Sequence, residues 1–199
     1  MRVILVHGFN ASPQMNFHPR LADQLRAKGF EVIAPTLPLQ AGEEFDLHKA
    51  IEKMKEQVGY LKGDDILLGH SLGSLIILQY LEAIEMTETP RAVILVAPPW
   101  SVSRPELRQL FIADLDADVL MWKAREFIVI HSKDDKLVPI AHGRRLAEAL
   151  RARFIETATD GHYMEADYSV LLETILSIAQ TPHAFEPGKD LENDFVGLH

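Results

Sequence analysis

The strongest chemical signal in the sequence is the pentapeptide 69–73, Gly-His-Ser-Leu-Gly, which places a serine between two glycines. It follows the apolar run 66–68 and precedes the apolar segment 72–84, so it lies between a predicted strand and a predicted helix. A sharp turn there exposes the serine oxygen and needs small residues two positions before and after it. Ser71 is therefore a candidate nucleophile. The alternative is a helix-capping serine beside glycines that are needed only for packing.

A serine hydroxyl is a weak nucleophile at neutral pH, and it needs a general base that a carboxylate holds in one tautomer. Two later segments contain such groups. One follows the predicted strand Phe127–Ile130 and contains Asp134 and Asp135, and the other follows the predicted strand 154–156 and contains His162. Because the carboxyl ends of parallel strands share one edge of a sheet, we expect both segments beside the serine.

Eight further histidines compete with His162 for the role of general base. Only His162 follows a glycine after the last predicted strand. His70 and His131 adjoin the candidate positions and are expected to support them, and His7 belongs to a turn motif discussed below. The other five lie in helical, loop or tail contexts and are expected at the surface: His18, His48, His142, His183 and His199.

Apolar, β-branched runs alternate with segments of helical spacing along the chain. The predicted strands are Val3–Val6, Phe30–Ala34, Ile66–Leu68, Ala92–Val96, Phe127–Ile130 and Phe154–Glu156. The predicted helices are Phe17–Lys28, Glu44–Tyr60, Leu72–Ile84, Ile140–Arg151 and Tyr163–Ile178. This alternation predicts an α/β fold, with a doubly wound parallel sheet between two layers of helices.

Composition predicts one globular domain, since the chain has 199 residues of which 47% are hydrophobic and 25% charged. We expect it in the cytoplasm, because neither the cysteine content nor the apolar run 2–6 indicates export. No cysteine occurs, which excludes disulfides and thiolate metal sites. A formal net charge of −9 without a dense Lys/Arg stripe argues against a nucleic-acid partner. The apolar run 2–6 is far shorter than the roughly 20 residues of a membrane span, so we expect no membrane insertion.

Motifs for cofactors and metals are missing or incomplete. The sequence has no GxxxxGK[ST], no GxGxxG and no HExxH. Asp114, Asp116 and Asp118 resemble the start of a calcium loop, but its sixth position is Val119 instead of glycine and its twelfth is Arg125 instead of glutamate. We therefore expect no cofactor and no metal, and we interpret the three aspartates as the solvated start of a helix.

With these motifs in the order Ser, Asp, His, the chain resembles the α/β-hydrolase superfamily over about residues 1–180. Its small size and lack of a cap insertion are similar to the compact, lidless serine hydrolases related to retinoblastoma-binding protein nine. That resemblance implies a six-stranded, mostly parallel sheet and esterase- or amidase-type activity on a small acyl substrate. It lends no support to a retinoblastoma-type partner, because the family's L-x-C-x-E motif needs a cysteine.

The same resemblance chooses between the two neighbouring aspartates. Hydrolases of this class often carry the pattern H-G-x-x-D-x-x-V-P, which residues 131–139 match with Ser132 in place of the glycine. This register implies that Asp135 is the acid. Asp134 is then a turn residue that accepts backbone N–H groups.

The segment His7-Gly8-Phe9 follows the first predicted strand, where the fold supplies one half of an oxyanion hole. Two backbone N–H donors aimed at the negative oxygen of a tetrahedral intermediate can each contribute on the order of 3 kcal/mol. We assign them to Phe9 and Leu72. The alternative is that Gly8 only allows a tight turn.

Two segments lack clear periodicity. The segment 97–125 contains Pro98, Pro99 and Pro105 and is expected to shape a pocket without forming a separate lid domain. Residues 181–199 are expected to form a packed-down or partly disordered tail beyond one hydrolase domain at 1–180. A noncatalytic protein-interaction module on the same fold is the alternative function, but it gives no physical reason for a complete set of nucleophile, base and acid.

Overall fold

The computed structural model describes residues 1–40, 45–101 and 115–181. Its six strands are β1 Arg2–Val6, β2 Glu31–Ile33, β3 Ile66–His70, β4 Ala92–Val96, β5 Phe127–Ser132 and β6 Arg153–Thr157. Its helices are α1 His18–Ala27, α2 Leu47–Val58, α3 Leu72–Ala83, α4 Ala117–Leu120, α5 Ile140–Ala149 and α6 Ser169–Gln180.

The strands form one sheet in the order β2-β1-β3-β4-β5-β6, and all five strand pairs are parallel. The chain starts at β1, moves outward to β2, and then returns past β1 to build β3 to β6 on the other side. Between β1 and β3 the direction of winding therefore reverses, and ligands of doubly wound sheets bind beyond the strands at such a point. The predicted fold class is confirmed.

The core lies on both faces of the sheet because the central strands are buried on both sides. In β1, Val3 and Leu5 belong to the same buried cluster as residues of α1 and α6, whereas Ile4 and Val6 belong to a second cluster that includes residues of α2, α3 and α5. Such strands read as unbroken apolar runs in a sequence, as β1 and β4 do here. None of the helices in residues 1–40, 45–101 and 115–181 has the length and apolar character to cross a membrane.

Local sequence signals set the ends of several helices. The carboxylate of Asp46 accepts hydrogen bonds from the N–H groups of His48 and Lys49 at the start of α2. Gly29 follows α1 with a φ of +86°, a conformation that disfavours residues with a Cβ. Helix α3 is apolar on all sides and almost entirely buried, which makes it the central helix behind the sheet.

Three sequence-based expectations are wrong. His142 is partly buried instead of exposed. The last helix begins at Ser169 instead of Tyr163, because Tyr163 adopts a φ of +56° in a turn and buries its ring, with its hydroxyl 2.7 Å from the Thr157 hydroxyl. His18 is fully buried instead of exposed, and its ring stacks on Phe17. The expected tail from Pro182 onward and residues 102–114 of the irregular segment lie outside the described residues.

Candidate active site

Ser71 lies in the sharp turn between β3 and α3. Its backbone has φ 51° and ψ −120°, a strained conformation for a non-glycine residue, and its N–H donates to the Val96 carbonyl at 2.8 Å. The flanking glycines are required by close packing: a Cβ on Gly69 would lie 2.6 Å from the Ser74 Cα, and one on Gly73 would collide with the His7 carbonyl oxygen. The turn therefore exposes the serine oxygen at the carboxyl end of the sheet.

Three side chains that are far apart in the sequence form one hydrogen-bond chain at this edge. The Ser71 Oγ lies 3.0 Å from the His162 Nε2, and the His162 Nδ1 lies 2.7 Å from the Asp135 Oδ2. With the proton on Nδ1, the Nε2 atom is an acceptor for the serine hydroxyl. The arrangement joins a hydroxyl, an imidazole and a carboxylate in the order that proton abstraction from the serine requires.

The Asp135 carboxylate is buried and receives hydrogen bonds on both oxygens. Its Oδ1 accepts the N–H groups of Leu137 and Val138, each at 2.9 Å, and its Oδ2 faces His162 and also His131 Nε2 at 3.2 Å. Burial by itself raises the pKa of this carboxyl. The hydrogen bonds from His131, His162 and the Val138 N–H outweigh burial and hold the pKa well below its usual range, so the group is ionised.

His131, which the sequence predicts only to support the candidate residues, contacts Asp135 directly. Its Nε2 lies 2.9 Å from the Val138 carbonyl as well as beside Asp135, so this nitrogen carries a proton directed at two acceptors. Helix α5 passes directly over the ring, because a Cβ on Gly143 would collide with the His131 Nδ1. The ring therefore holds the same Asp135 Oδ2 atom that faces His162.

Asp134 points away from this chain and links two loops. Its Oδ1 accepts the Ser132 hydroxyl at 2.6 Å and the Gly161 N–H at 2.8 Å, and the Ser132 Oγ accepts the Asp160 N–H at 3.0 Å. The hydrogen bond from Ser132, followed by that from Gly161, lowers the pKa of the Asp134 carboxyl. The loop that carries His162 is thus tied to the loop that carries Asp135.

His70 also holds the loop that carries His162. Its Nε2–H donates to the His162 carbonyl at 2.8 Å, and the two rings lie with centroids 5.2 Å apart. Burial, with smaller contributions from the nearby His162 and His18 rings, lowers the pKa of His70 to about 3, so it is uncharged at neutral pH. His70 therefore acts on His162 through the backbone and adds no charge to the site.

A cleft of about 470 Å³ opens beside Ser71 and His162, and both expected oxyanion donors, Phe9 and Leu72, line it. Leu72 is the first residue of α3, and the first N–H groups of a helix have no acceptor within the helix. Gly8 brings the β1 loop close, since a Cβ there would lie 3.2 Å from the Ser71 Cβ. The structure thus places the two predicted donors at the nucleophile's cleft.

Comparison with known proteins bears on this site. The sequence model of the serine hydrolase family matches residues 3–174. The chain belongs to this family. One relative is YdeN of Bacillus subtilis (strain 168), whose hydrolase function is inferred. It is 28% identical over 169 residues, which cover 82% of this chain and 86% of YdeN.

Solved structures show the same fold. The YdeN crystal structure superposes with a TM-score of 0.83 at 24% identity, covering 90% of this chain and 99% of that one. A hydrolase of the α/β superfamily from Xanthomonas campestris pv. campestris gives a TM-score of 0.66 at 23% identity, with 90% and 96% covered. The esterase RhEst1 from Rhodococcus sp. ECU1013 gives 0.69 at 18% identity, with 92% and 91% covered. The predicted α/β-hydrolase fold is confirmed.

Acidic and histidine side chains do not converge on a metal position in the part of the chain that the structure describes. Of the three aspartates that resemble a calcium loop, Asp114 lies outside the described residues. Asp116 caps the short helix α4, where its Oδ1 accepts the Val119 N–H at 3.1 Å. That contact fits the interpretation of these residues as a helix start.

Proposed function

We propose that this chain hydrolyses small esters or amides through an acyl-enzyme intermediate on Ser71. The observation that carries the proposal is the hydrogen-bond chain from Ser71 through His162 to Asp135, with distances of 3.0 and 2.7 Å. Membership of the serine hydrolase family supports it. RhEst1, whose name describes an esterase, has the same fold.

In the proposed reaction the Ser71 Oγ attacks the substrate carbonyl while its proton passes to the His162 Nε2. The carbonyl oxygen becomes negative and accepts hydrogen bonds from the Phe9 and Leu72 N–H groups. His162 then protonates the leaving alcohol or amine, and the acyl group stays on Ser71. Water next attacks the acyl-enzyme carbonyl while His162 takes its proton, and His162 returns that proton to the Ser71 Oγ as the acid leaves.

The ionised Asp135 has two tasks in this scheme. It keeps the proton of neutral His162 on Nδ1, and it stabilises the imidazolium that forms when Nε2 takes the serine proton. Its depressed pKa follows from the hydrogen bonds that it already accepts, so it does not take the proton itself. His131 then prevents the carboxylate from turning away from His162.

The test is covalent labelling with a fluorophosphonate probe, together with hydrolysis of p-nitrophenyl butanoate. The wild-type protein should be labelled, and Ser71→Ala should abolish labelling and lower kcat by several orders of magnitude, because it removes the nucleophile. The matched control is Ser74→Ala, one turn along α3, whose hydroxyl donates to the Gly69 carbonyl at 2.8 Å. This control should still be labelled.

Retention of more than a tenth of the wild-type rate in folded Ser71→Ala protein would overturn the nucleophile assignment. The alternative of a noncatalytic binding module predicts no labelling of the wild-type protein and no ester hydrolysis above the background rate.

A further inference from the structure

The cleft beside Ser71 differs chemically from the rest of the molecule. A quarter of the chain's residues are charged, and its formal net charge is −9. Among the described residues that line the cleft, however, there is no Asp, Glu, Lys or Arg. A charged substrate group would therefore find no counter-ion on the described walls.

The cleft histidines other than His162 do not supply charge either. Burial lowers the pKa of His142, and its Nδ1 accepts the Trp100 N–H at 3.1 Å. Burial is the largest factor that lowers the pKa of His70, to about 3. Both rings are thus neutral at pH 7, and the described walls are polar only through uncharged groups.

Three of the seven exposed large apolar side chains found among the described residues lie together at the rim of this cleft. Met15 is 46% exposed, Leu137 is 68% exposed and Met164 is 51% exposed, and all three line the cleft. They come from three separate loops, and Leu137 and Met164 each stand two residues after a member of the hydrogen-bond chain. Single exposed apolar residues are common on proteins, but a cluster around a cleft marks a binding surface.

From these observations we infer that the cleft takes uncharged esters that carry an apolar chain of several carbons. This inference rests on the proposed function of Ser71 and names its substrate class. The chain packs against Leu137 and the two methionines, whose flexible thioethers adapt to apolar groups of different shape. A volume of about 470 Å³ lies in the range of small-molecule sites.

The first experiment measures kcat/KM for p-nitrophenyl acetate, butanoate, hexanoate and octanoate. Each fully buried methylene strengthens binding by a factor of about four, so hexanoate should exceed acetate by at least about tenfold even if only about two of its four additional methylenes are buried. A parallel series of alkyl acetates tests whether the apolar chain belongs to the acyl or the alcohol side. A rise of kcat/KM with chain length in either series supports the inference. If kcat/KM rises in neither series, the inference is overturned.

A second arm isolates charge from size. The p-nitrophenyl esters of 4-methylpentanoic acid and of succinic acid have similar shapes, but the second carries a carboxylate where the first has an isopropyl group. The anionic ester should show a kcat/KM at least about tenfold lower, because its charge enters a cleft without a partner. Equal values for the two esters would overturn the inference.

Substitutions at the rim locate the effect. Leu137→Ser and Met164→Ser should each lower the hexanoate-to-acetate ratio about threefold or more by removing apolar contact. The matched control is Val119→Ser on α4, since Val119 is 46% exposed but does not line the cleft. The ratio should stay at the wild-type value in this control, and an equal fall in all three variants would refute the assignment of the rim.

Fluorophosphonate labelling distinguishes a failure of the substrate class from a failure of the proposed function. If Ser71 is labelled but acetate and the anionic ester are the preferred substrates, only the substrate class is wrong. If Ser71 is not labelled and no ester is hydrolysed, the proposed function fails and the substrate class fails with it.

Discussion

Buried polar groups are paired at one end of the sheet and lack good partners at the other. At the amino end of the strands, Asp65 is fully buried and pairs with Arg2 through two hydrogen bonds of 2.9 and 2.5 Å. Arg2 also donates to the carbonyls of Val58 and Tyr60, and Asp65 accepts the Lys62 N–H. The donors and acceptors of this cluster are thus well matched.

At the carboxyl end of the strands, buried polar atoms lack good partners. The buried side-chain nitrogens that lack a well-aligned hydrogen-bond partner among the described residues lie at this end: the Asn16 Nδ2, the His70 Nδ1, the His131 Nδ1 and the ring nitrogens of His18, which interact only weakly with the Val6 and Met15 carbonyls. Asn16 and His70 line the cleft, His131 contacts Asp135, and the His18 ring lies 6.1 Å from His70. Ser71 adds backbone strain at the same place.

The size of the cavities does not identify which end of the sheet holds the active site. A larger cavity of about 600 Å³ opens at the amino end, beside Tyr60, Tyr80 and Glu85. It contains no paired nucleophile and base, whereas the smaller cleft does. Unsatisfied and strained groups thus lie at the end with the proposed active site, called the functional end below, whereas the paired end is built for stability.

The largest expected effect belongs to the functional end. Asp135→Asn should lower kcat by about 10³ to 10⁴ while the protein stays folded. The Asn Oδ1 can replace the oxygen that accepts the Leu137 and Val138 N–H groups, which turns its NH₂ group toward the His162 Nδ1. His162 is then forced to carry its proton on Nε2, where it cannot accept the serine proton.

Steady-state hydrolysis and circular dichroism of the same preparation check this prediction. A loss smaller than tenfold would mean that His162 is oriented by another group, and the comparison of the two ends would lose its main chemical argument.

Breaking the ion pair at the amino end should change stability instead of catalysis. Asp65→Ala leaves the Arg2 guanidinium buried without its carboxylate, which should cost about 3 to 5 kcal/mol of unfolding free energy. Urea denaturation measures this loss. The kcat per folded molecule should stay at the wild-type value below the unfolding transition, and a parallel fall in kcat would show that the two ends are not separable.

Acid should destabilise the protein through the buried histidines of the functional end. Burial, and to a smaller extent the charge of His7, lowers the pKa of His18 to about 4 from an ordinary value near 6.5. Between these values the unfolded chain binds a proton that the folded chain does not, so stability is complete above about pH 6.5 and falls as the pH drops toward 4. From pH 7 to pH 5, His18 alone should cost about 2 kcal/mol.

Urea midpoints at pH 7 and pH 5 test this dependence. His18→Asn should reduce the difference between the two midpoints, because the titrating ring is gone. The control is His48→Asn on α2, whose side chain is exposed and in solvent in both states. An unchanged difference in His18→Asn would place the acid sensitivity elsewhere.

The sequence predicts the sheet well because its four central strands are buried on both faces and therefore appear as largely apolar runs. It also predicts the meeting of Ser71, Asp135 and His162, since each follows a parallel strand and must lie at the same edge. The buried position of His18 could not be predicted, because a histidine at a helix start reads as polar and the Phe17 ring that covers it is visible only in three dimensions.

The network around Asp134 was predicted only in part. Its adjacency to Asp135 and its turn context indicated a residue that accepts backbone N–H groups. That the accepted N–H belongs to Gly161 in another loop follows from the pairing of β5 with β6, in which Ser132 lies opposite Thr157. No spacing in the sequence encodes that register.

The smallest expected effect concerns this same residue and compares two neighbouring aspartates within the functional end. Asp134→Ala removes the acceptor that ties the loop of His162 to the loop of Asp135, so kcat should fall by about tenfold through misplacement of the base. Asp134→Asn keeps an oxygen for the Ser132 hydroxyl and the Gly161 N–H, so it should have little effect on kcat. Rescue by asparagine distinguishes a need for the hydrogen bonds from a need for the charge.

A double substitution decides whether Asp134 acts through His162. If it only positions the base, Asp134→Ala should cost little in the Asp135→Asn background, because the base is already in the wrong tautomer there. A purely structural role would instead lower kcat by the same factor in both backgrounds. Should Asp134→Asn prove as damaging as Asp135→Asn, the negative charge of Asp134 would itself be needed, and the division of labour between the two carboxylates would be wrong.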